Sequence, residues 1–236
     1  MGKEILKKQI EEQLDRFEKA VELPFNAELG EQMQYVRDGI LNVEAYLSAP
    51  VKILYILKEA NSTDNSLEDM RDNLIELNSD DPNRINALWG NTWRPIAYAT
   101  YGIFEKKNWQ DIPDINGNAT EILKYMPNIA QINVKKYAGG ATANEKEIKN
   151  FYKKYHDLLH EQIEIINPDV LVFCSTFGFF DSDYFAAKKK IQEWIPVYQF
   201  KDKLLIDTYH PNGLRGAGMT EQEYCDYIIN AVNNWK

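Results

Sequence analysis

"VKILYIL", Val51–Leu57, is a nearly unbroken run of β-branched and aromatic residues that stops abruptly at "KEANS", Lys58–Ser62. A strand with one wet face alternates apolar and polar residues, whereas a strand covered on both faces does not. This run therefore reads as a central strand of a parallel sheet. Two further runs have the same character: "IAQINVKK", Ile129–Lys136, and "DVLVFCS", Asp169–Ser175. "VYQF" and "LLIDTYH", Val197–Phe200 and Leu204–His210, read as two more strands. Between the strands the period changes to that of a helix. Ile148, Phe151, Tyr155, Leu158, Leu159, Ile163 and Ile166 form one stripe that ends at Pro168, as expected of a crossover helix. Helices are also expected around Met70–Leu77, through "RPIAYATYGIFEKK", over "FAAKKKIQEWI" and over "EQEYCDYIINAVNNW". Strands alternating with helices imply a three-layer α/β/α sandwich around a mainly parallel sheet. Ile5, Ile10, Leu14, Phe17 and Val21 predict an accessory N-terminal helix ending before Pro24, within a helical extension over residues 1–50.

The chain has 236 residues, 44% of them hydrophobic, enough for one large domain. No segment approaches the roughly 18 consecutive apolar residues of a membrane helix, and the charged start lacks the apolar centre of a signal peptide. A soluble, cytoplasmic monomer without a membrane partner is expected. Cys174 and Cys225 fall within a strand-like and a helix-like run, which predicts two buried thiols rather than a disulfide framework. The net charge of −9 repels phosphate backbones unless basic residues gather on one face.

In open parallel sheets, ligands bind beyond the carboxyl ends of the strands. That rule selects "KEANS", the end of "INVKK" with the following "YAGG", and "HPNG" after the last strand. These residues, with "INPDVLVFCS", resemble the uracil-DNA glycosylase superfamily over Val51 to the C-terminus. Its first motif reads like Gly-Glu-Ala-Pro-Gly or Gly-Gln-Asp-Pro-Tyr and its last like His-Pro-Ser; here they stand as "KEANS" and "HPN". Lys58 replaces a glycine, and Asn61 and Ser62 replace the proline and its neighbour.

The resemblance implies hydrolysis of the N-glycosidic bond of uracil or another deaminated base, in DNA or in a free nucleoside, with no cofactor and no metal. His210 would donate a hydrogen bond to the base oxygen on which charge develops. Glu59 would orient water and oppose the cationic sugar, with Asn61 as its competitor for that task. Asn133 would read the base edge. Trp89 would stack on an extruded base, while Trp93 reads as structural. Asn212 would brace the turn, Leu214 or Arg215 would supply a wedge, and Lys58, Lys135, Lys136 and Arg215 would form a positive rim for phosphates. "HDLLH" places His156 and His160 four residues apart but reads as a solvated helix face rather than a metal site. A non-catalytic base-, nucleotide- or protein-binding domain of the same fold is the alternative, and a small-molecule hydrolase unrelated to nucleobases a third reading.

Overall fold

The structure is a computed structural model that describes residues 2–29, 34–62, 67–76, 90–140, 142–180, 184–192 and 195–235. In chain order its main elements are helix α1 (Gly2–Leu29), strand β1 (Gly39–Ile40), α2 (Val43–Ser48), β2 (Ile53–Leu57), α3 (Met70–Glu76), α4 (Gly90–Glu105) and α5 (Ala119–Leu123). They continue with β3 (Ala130–Asn133), α6 (Glu145–Ile166), β4 (Val170–Cys174), β5 (Lys189–Gln192), β6 (Val197–Phe200), β7 (Lys203–Thr208) and α7 (Glu221–Asn233). The strands form one mixed sheet in the order β1-β3-β2-β4-β7-β6-β5. Its centre, β3-β2-β4-β7, is parallel, and β1, β6 and β5 pair antiparallel at the two edges.

Both faces of the sheet are covered. Ile53, Tyr55, Leu57, Val172, Cys174 and Ile206 join Ile96 and Ile103 of α4 and Ile228 and Ile229 of α7 in one core. The alternate residues, Leu54, Ile56, Ile132, Phe173 and Leu205, pack with Ile148, Tyr152, Leu159 and Ile163 of α6. This two-sided burial is why the central strands are apolar without alternation. A Cβ on Gly102 would meet Ile229 Cδ1 at 2.3 Å, so the close approach of α4 and α7 requires glycine there. Local signals agree with the packing. Asn144 caps α6, Asn167 closes it in the left-handed conformation, and Thr220 and Glu223 form a capping box on α7. Both cysteines are free and buried.

Three expectations change. The first helix does not stop before Pro24 but runs through it to Leu29. Pro24 removes one backbone bond, and Phe17, Val21 and Phe25, on both sides of it, hold the helix down against Tyr35 and Phe151. Residues 1–50 are not wholly helical, because Gly39 and Ile40 add an edge strand beside β3. "FAAKKKIQEWI" contains the edge strand β5 instead of a helix. Among the described residues of that segment only Phe185 and Ile195, at its two ends, are buried, Phe185 in an aromatic cluster with Phe173 and Phe177, and two end anchors are not the stripe a helix buries. Residues 77–89 lie outside the described residues. Among the described residues, no helix is long and apolar enough to cross a membrane.

The direction of chain progression reverses between β2 and β4: β3 lies on one side of this pair and β7 on the other. The carboxyl ends of β2 and β4 flank the switch point, the place where open parallel sheets generally bind ligands. Lys58–Glu59 and Ser175–Thr176 leave the sheet there.

Candidate functional site

Asn133 is the last residue of β3 and pairs with Leu57, two residues before Glu59. The parallel pairing continues past the strands through Val134 N–H to Leu57 O and Lys135 N–H to Lys58 O, both at 2.9 Å. Farther out, Gly139 N–H donates to Ala60 O at 2.8 Å and Ser62 N–H to Gly139 O at 3.2 Å. The "KEANS" and "YAGG" loops thus zip together. A Cβ on Gly139 would lie 2.3 Å from Glu59 Cδ, so the bare glycine backbone roofs the carboxylate.

The Glu59 side chain is 5% exposed and meets Lys135, itself 2% exposed. The two form a buried ion pair. Lys135 also lies 3.3 Å from Glu147 and 4.3 Å from the centre of the Tyr137 ring. Lys58 is committed to Glu145.

Beneath Asn133 is a second, fully buried network. Lys136 Nζ donates to Asp38 Oδ1 at 2.7 Å and to Gln162 Oε1 at 2.6 Å. Gln162 Nε2 donates to Asp38 Oδ1 at 2.9 Å, and Asp38 Oδ2 accepts the Asn133 N–H at 2.7 Å. Burial pulls the Lys136 pKa below its ordinary value, against the attraction of Asp38. The Asn133 backbone is therefore fixed, whereas its buried Nδ2 has no hydrogen-bond partner among the described residues. A buried donor left in that condition costs roughly 1–3 kcal/mol. An acceptor placed against this atom would remove the cost.

On the far side of β2 and β4, His210 follows β7. Its N–H donates to Ser175 Oγ at 2.8 Å, and its Nδ1 accepts the Asn212 N–H at 3.2 Å. Because Nδ1 is an acceptor, the neutral ring carries its proton on Nε2. Burial, aided by the charge of Lys58, lowers the imidazole pKa from 6.5 to about 4. His210 is consequently a neutral Nε2–H donor at physiological pH. Between the two values the unfolded chain binds more protons than the folded one, so the stability contributed by a neutral His210 is complete above pH 6.5 and is lost as pH falls through 4. An NMR titration should find the His210 ring still neutral at pH 5.5, with His156 and His160 as internal comparisons. A midpoint near 6.5 would refute the buried, Lys58-facing environment.

The structure places Glu59, Asn133 and His210 on one edge of the sheet, each just beyond or at the end of a parallel strand. Asn61 is exposed and pairs with Gly139 through its backbone. Asn212 is exposed and serves His210 with its N–H. Two assignments need correction. Leu214 is 6% exposed within the core, because the turn after Pro211 folds its side chain inward, so it is no wedge. Lys135 and Lys136 face buried carboxylates rather than solvent and leave Arg215 as the exposed member of the expected positive rim. Trp93 is buried in the core, as expected, and Trp89 lies outside the described residues. His156, Asp157 and His160 lie together, with Nδ1 of His156 3.0 Å from Asp157 and His160 engaged by Tyr152 and stacked on Tyr184.

Sequence reasoning missed Asp38, Gln162 and Ser175. An acid between Val36 and Ile40 was a usable signal for Asp38; nothing local marked Gln162 or Ser175. Neither a scan against protein-family models nor a search of curated proteins finds a match to this chain.

Proposed function

We propose that this chain releases a base from a nucleoside or nucleotide by hydrolysing its N-glycosidic bond, with uracil or another deaminated base as leaving group, as the resemblance to uracil-DNA glycosylases suggests. The observation that carries this reading is the neutral, half-buried His210, whose Nε2–H is left as the donor on the edge that also holds Glu59 and Asn133. When the bond from the sugar carbon to the base nitrogen breaks, its electron pair moves to the base and reaches a carbonyl oxygen. His210 stabilises that oxygen by hydrogen bonding without transferring a proton. Glu59 opposes the positive charge on the sugar and orients water; the water oxygen bonds to the sugar carbon, and its proton is taken up by the departing base or solvent. Lys135 holds Glu59 in place. The open Nδ2 of Asn133 donates to a base carbonyl.

A second reading follows from the same ion pair. Lys135 already neutralises Glu59, an arrangement that suits a binding domain which recognises a base without cleaving it. The two readings separate on a panel of single-stranded oligonucleotides, duplexes and free nucleosides carrying uracil, hypoxanthine or xanthine, with released base quantified by chromatography. Release from at least one substrate supports the glycosylase. Saturable binding without release assigns the chain to the binding reading. With Leu214 in the core, duplexes should be poorer substrates than single strands or nucleosides.

A further inference from the structure

A cavity opens beside the site, beyond the carboxyl ends of β4 and β7. It has a volume of about 220 Å³ and is lined by Ser175, Ile195, Pro196, Asp207, Thr208 and Tyr209. Its walls are fixed. The Asp207 N–H donates to Pro196 O at 3.0 Å, and Tyr227 of α7 donates its hydroxyl to Ile195 O. Ser175 is held at φ 57°, a left-handed conformation that costs a side-chain-bearing residue energy. Its N–H bonds to Thr208 O at 2.7 Å, and its Oγ receives the His210 N–H.

Two polar groups in this cavity lack partners. Thr208 is 5% exposed, and its Oγ1 has no hydrogen-bond partner among the described residues. The Asp207 carboxylate, half-buried, has neither an ion pair nor a hydrogen bond among the described residues. Burial pushes its pKa up to about 6, so at neutral pH it is an anion without a counter-ion there. Such a group lowers the stability of the fold, and an acid placed within the apolar run "LLIDTY" at that cost points to use rather than to packing. Beside it Ile195 and Pro196 offer apolar surface, and Tyr209, 46% exposed, offers a ring at the mouth.

We infer that this cavity is a binding site for a small cationic molecule, a protonated amine or amidine carried on a single flat or apolar ring. The carboxylate of Asp207 takes the cationic N–H groups, Thr208 Oγ1 takes a further one, and Tyr209 covers the ring by cation–π and face contacts. The size of the cavity limits the occupant to about one ring. The net charge of −9 favours the approach of a cation. The inference stands apart from the glycosylase reading, although Ser175 joins the cavity to the backbone of His210.

Benzamidine is a suitable probe, measured by calorimetry or by ligand-observed NMR on the full chain at pH 7.5. Saturable binding is expected, with neutral benzamide at least about tenfold weaker, since a charged hydrogen bond is lost. Asp207→Asn should weaken benzamidine by about tenfold or more and at the same time raise the Tm at pH 7.5, because it removes an uncompensated buried charge. Thr208→Val should weaken it by about three- to tenfold. A purely structural Asp207 would give a lower Tm in the asparagine variant, which would overturn the inference. Equal affinity for benzamide and benzamidine, or no saturable binding of either, would overturn it as well, and these two results need no variant to fold.

Discussion

Replacing His210 with alanine is expected to slow base release by about 10² to 10³-fold while substrate affinity changes little. The loss falls on the chemical step because the base oxygen becomes a strong acceptor only as the glycosidic bond breaks. In the ground state it is an ordinary carbonyl. The variant should fold, since the imidazole contributes one bond to the Asn212 N–H and is not part of the core. Glutamine at this position retains an N–H donor on a side chain of different reach and should recover part of the rate. Single-turnover release, with thermal melting as a control for folding, measures both. An undiminished rate in a folded His210→Ala protein would remove the residue from the mechanism.

The largest effect on stability is expected at Lys136. Lys136→Met leaves Asp38, whose side chain is 0% exposed, without its counter-ion, although the N–H of Asn133 and the amide of Gln162 still reach it. Removing one partner of a buried pair costs about 3–5 kcal/mol, more than the pair contributes against an apolar replacement, because the remaining charge has lost its water and its partner together. In a chain of this size that corresponds to a fall in Tm on the order of 10 °C. Lys136→Met combined with Asp38→Asn should recover much of the loss, since the asparagine carries no charge. Urea melts of the two single variants and the double variant form the cycle. Additive losses would mean that Lys136 and Asp38 do not act as a pair.

The two lysines show where the sequence was legible and where it was not. β2, β3 and β4 could be read because a strand covered on both faces records its burial in every residue. The position of His210 followed from the last of the parallel strands and the rule of carboxyl-terminal crevices. "KK" at 135–136, by contrast, reads as part of a positive rim for phosphates. Its meaning depends on Asp38, 98 residues from Lys136, and on Glu59, brought alongside by strand pairing that no local pattern encodes. Leu214 failed similarly: a leucine in a glycine-rich turn reads as exposed until the turn is seen to fold onto α4. β5 is not legible because an edge strand exposed along its whole length has neither a helical nor a strand period.

The central claim is that a neutral imidazole at position 210 stabilises a departing base. Its most direct test is the single-turnover rate of base release, on the best substrate of the panel, as a function of pH. With the His210 pKa depressed to about 4, the donor is already neutral at pH 5, and the rate should be flat from about pH 5 to 8. A rate that instead changes with a midpoint near 6.5, or a folded protein that releases no base at any pH, would contradict the account.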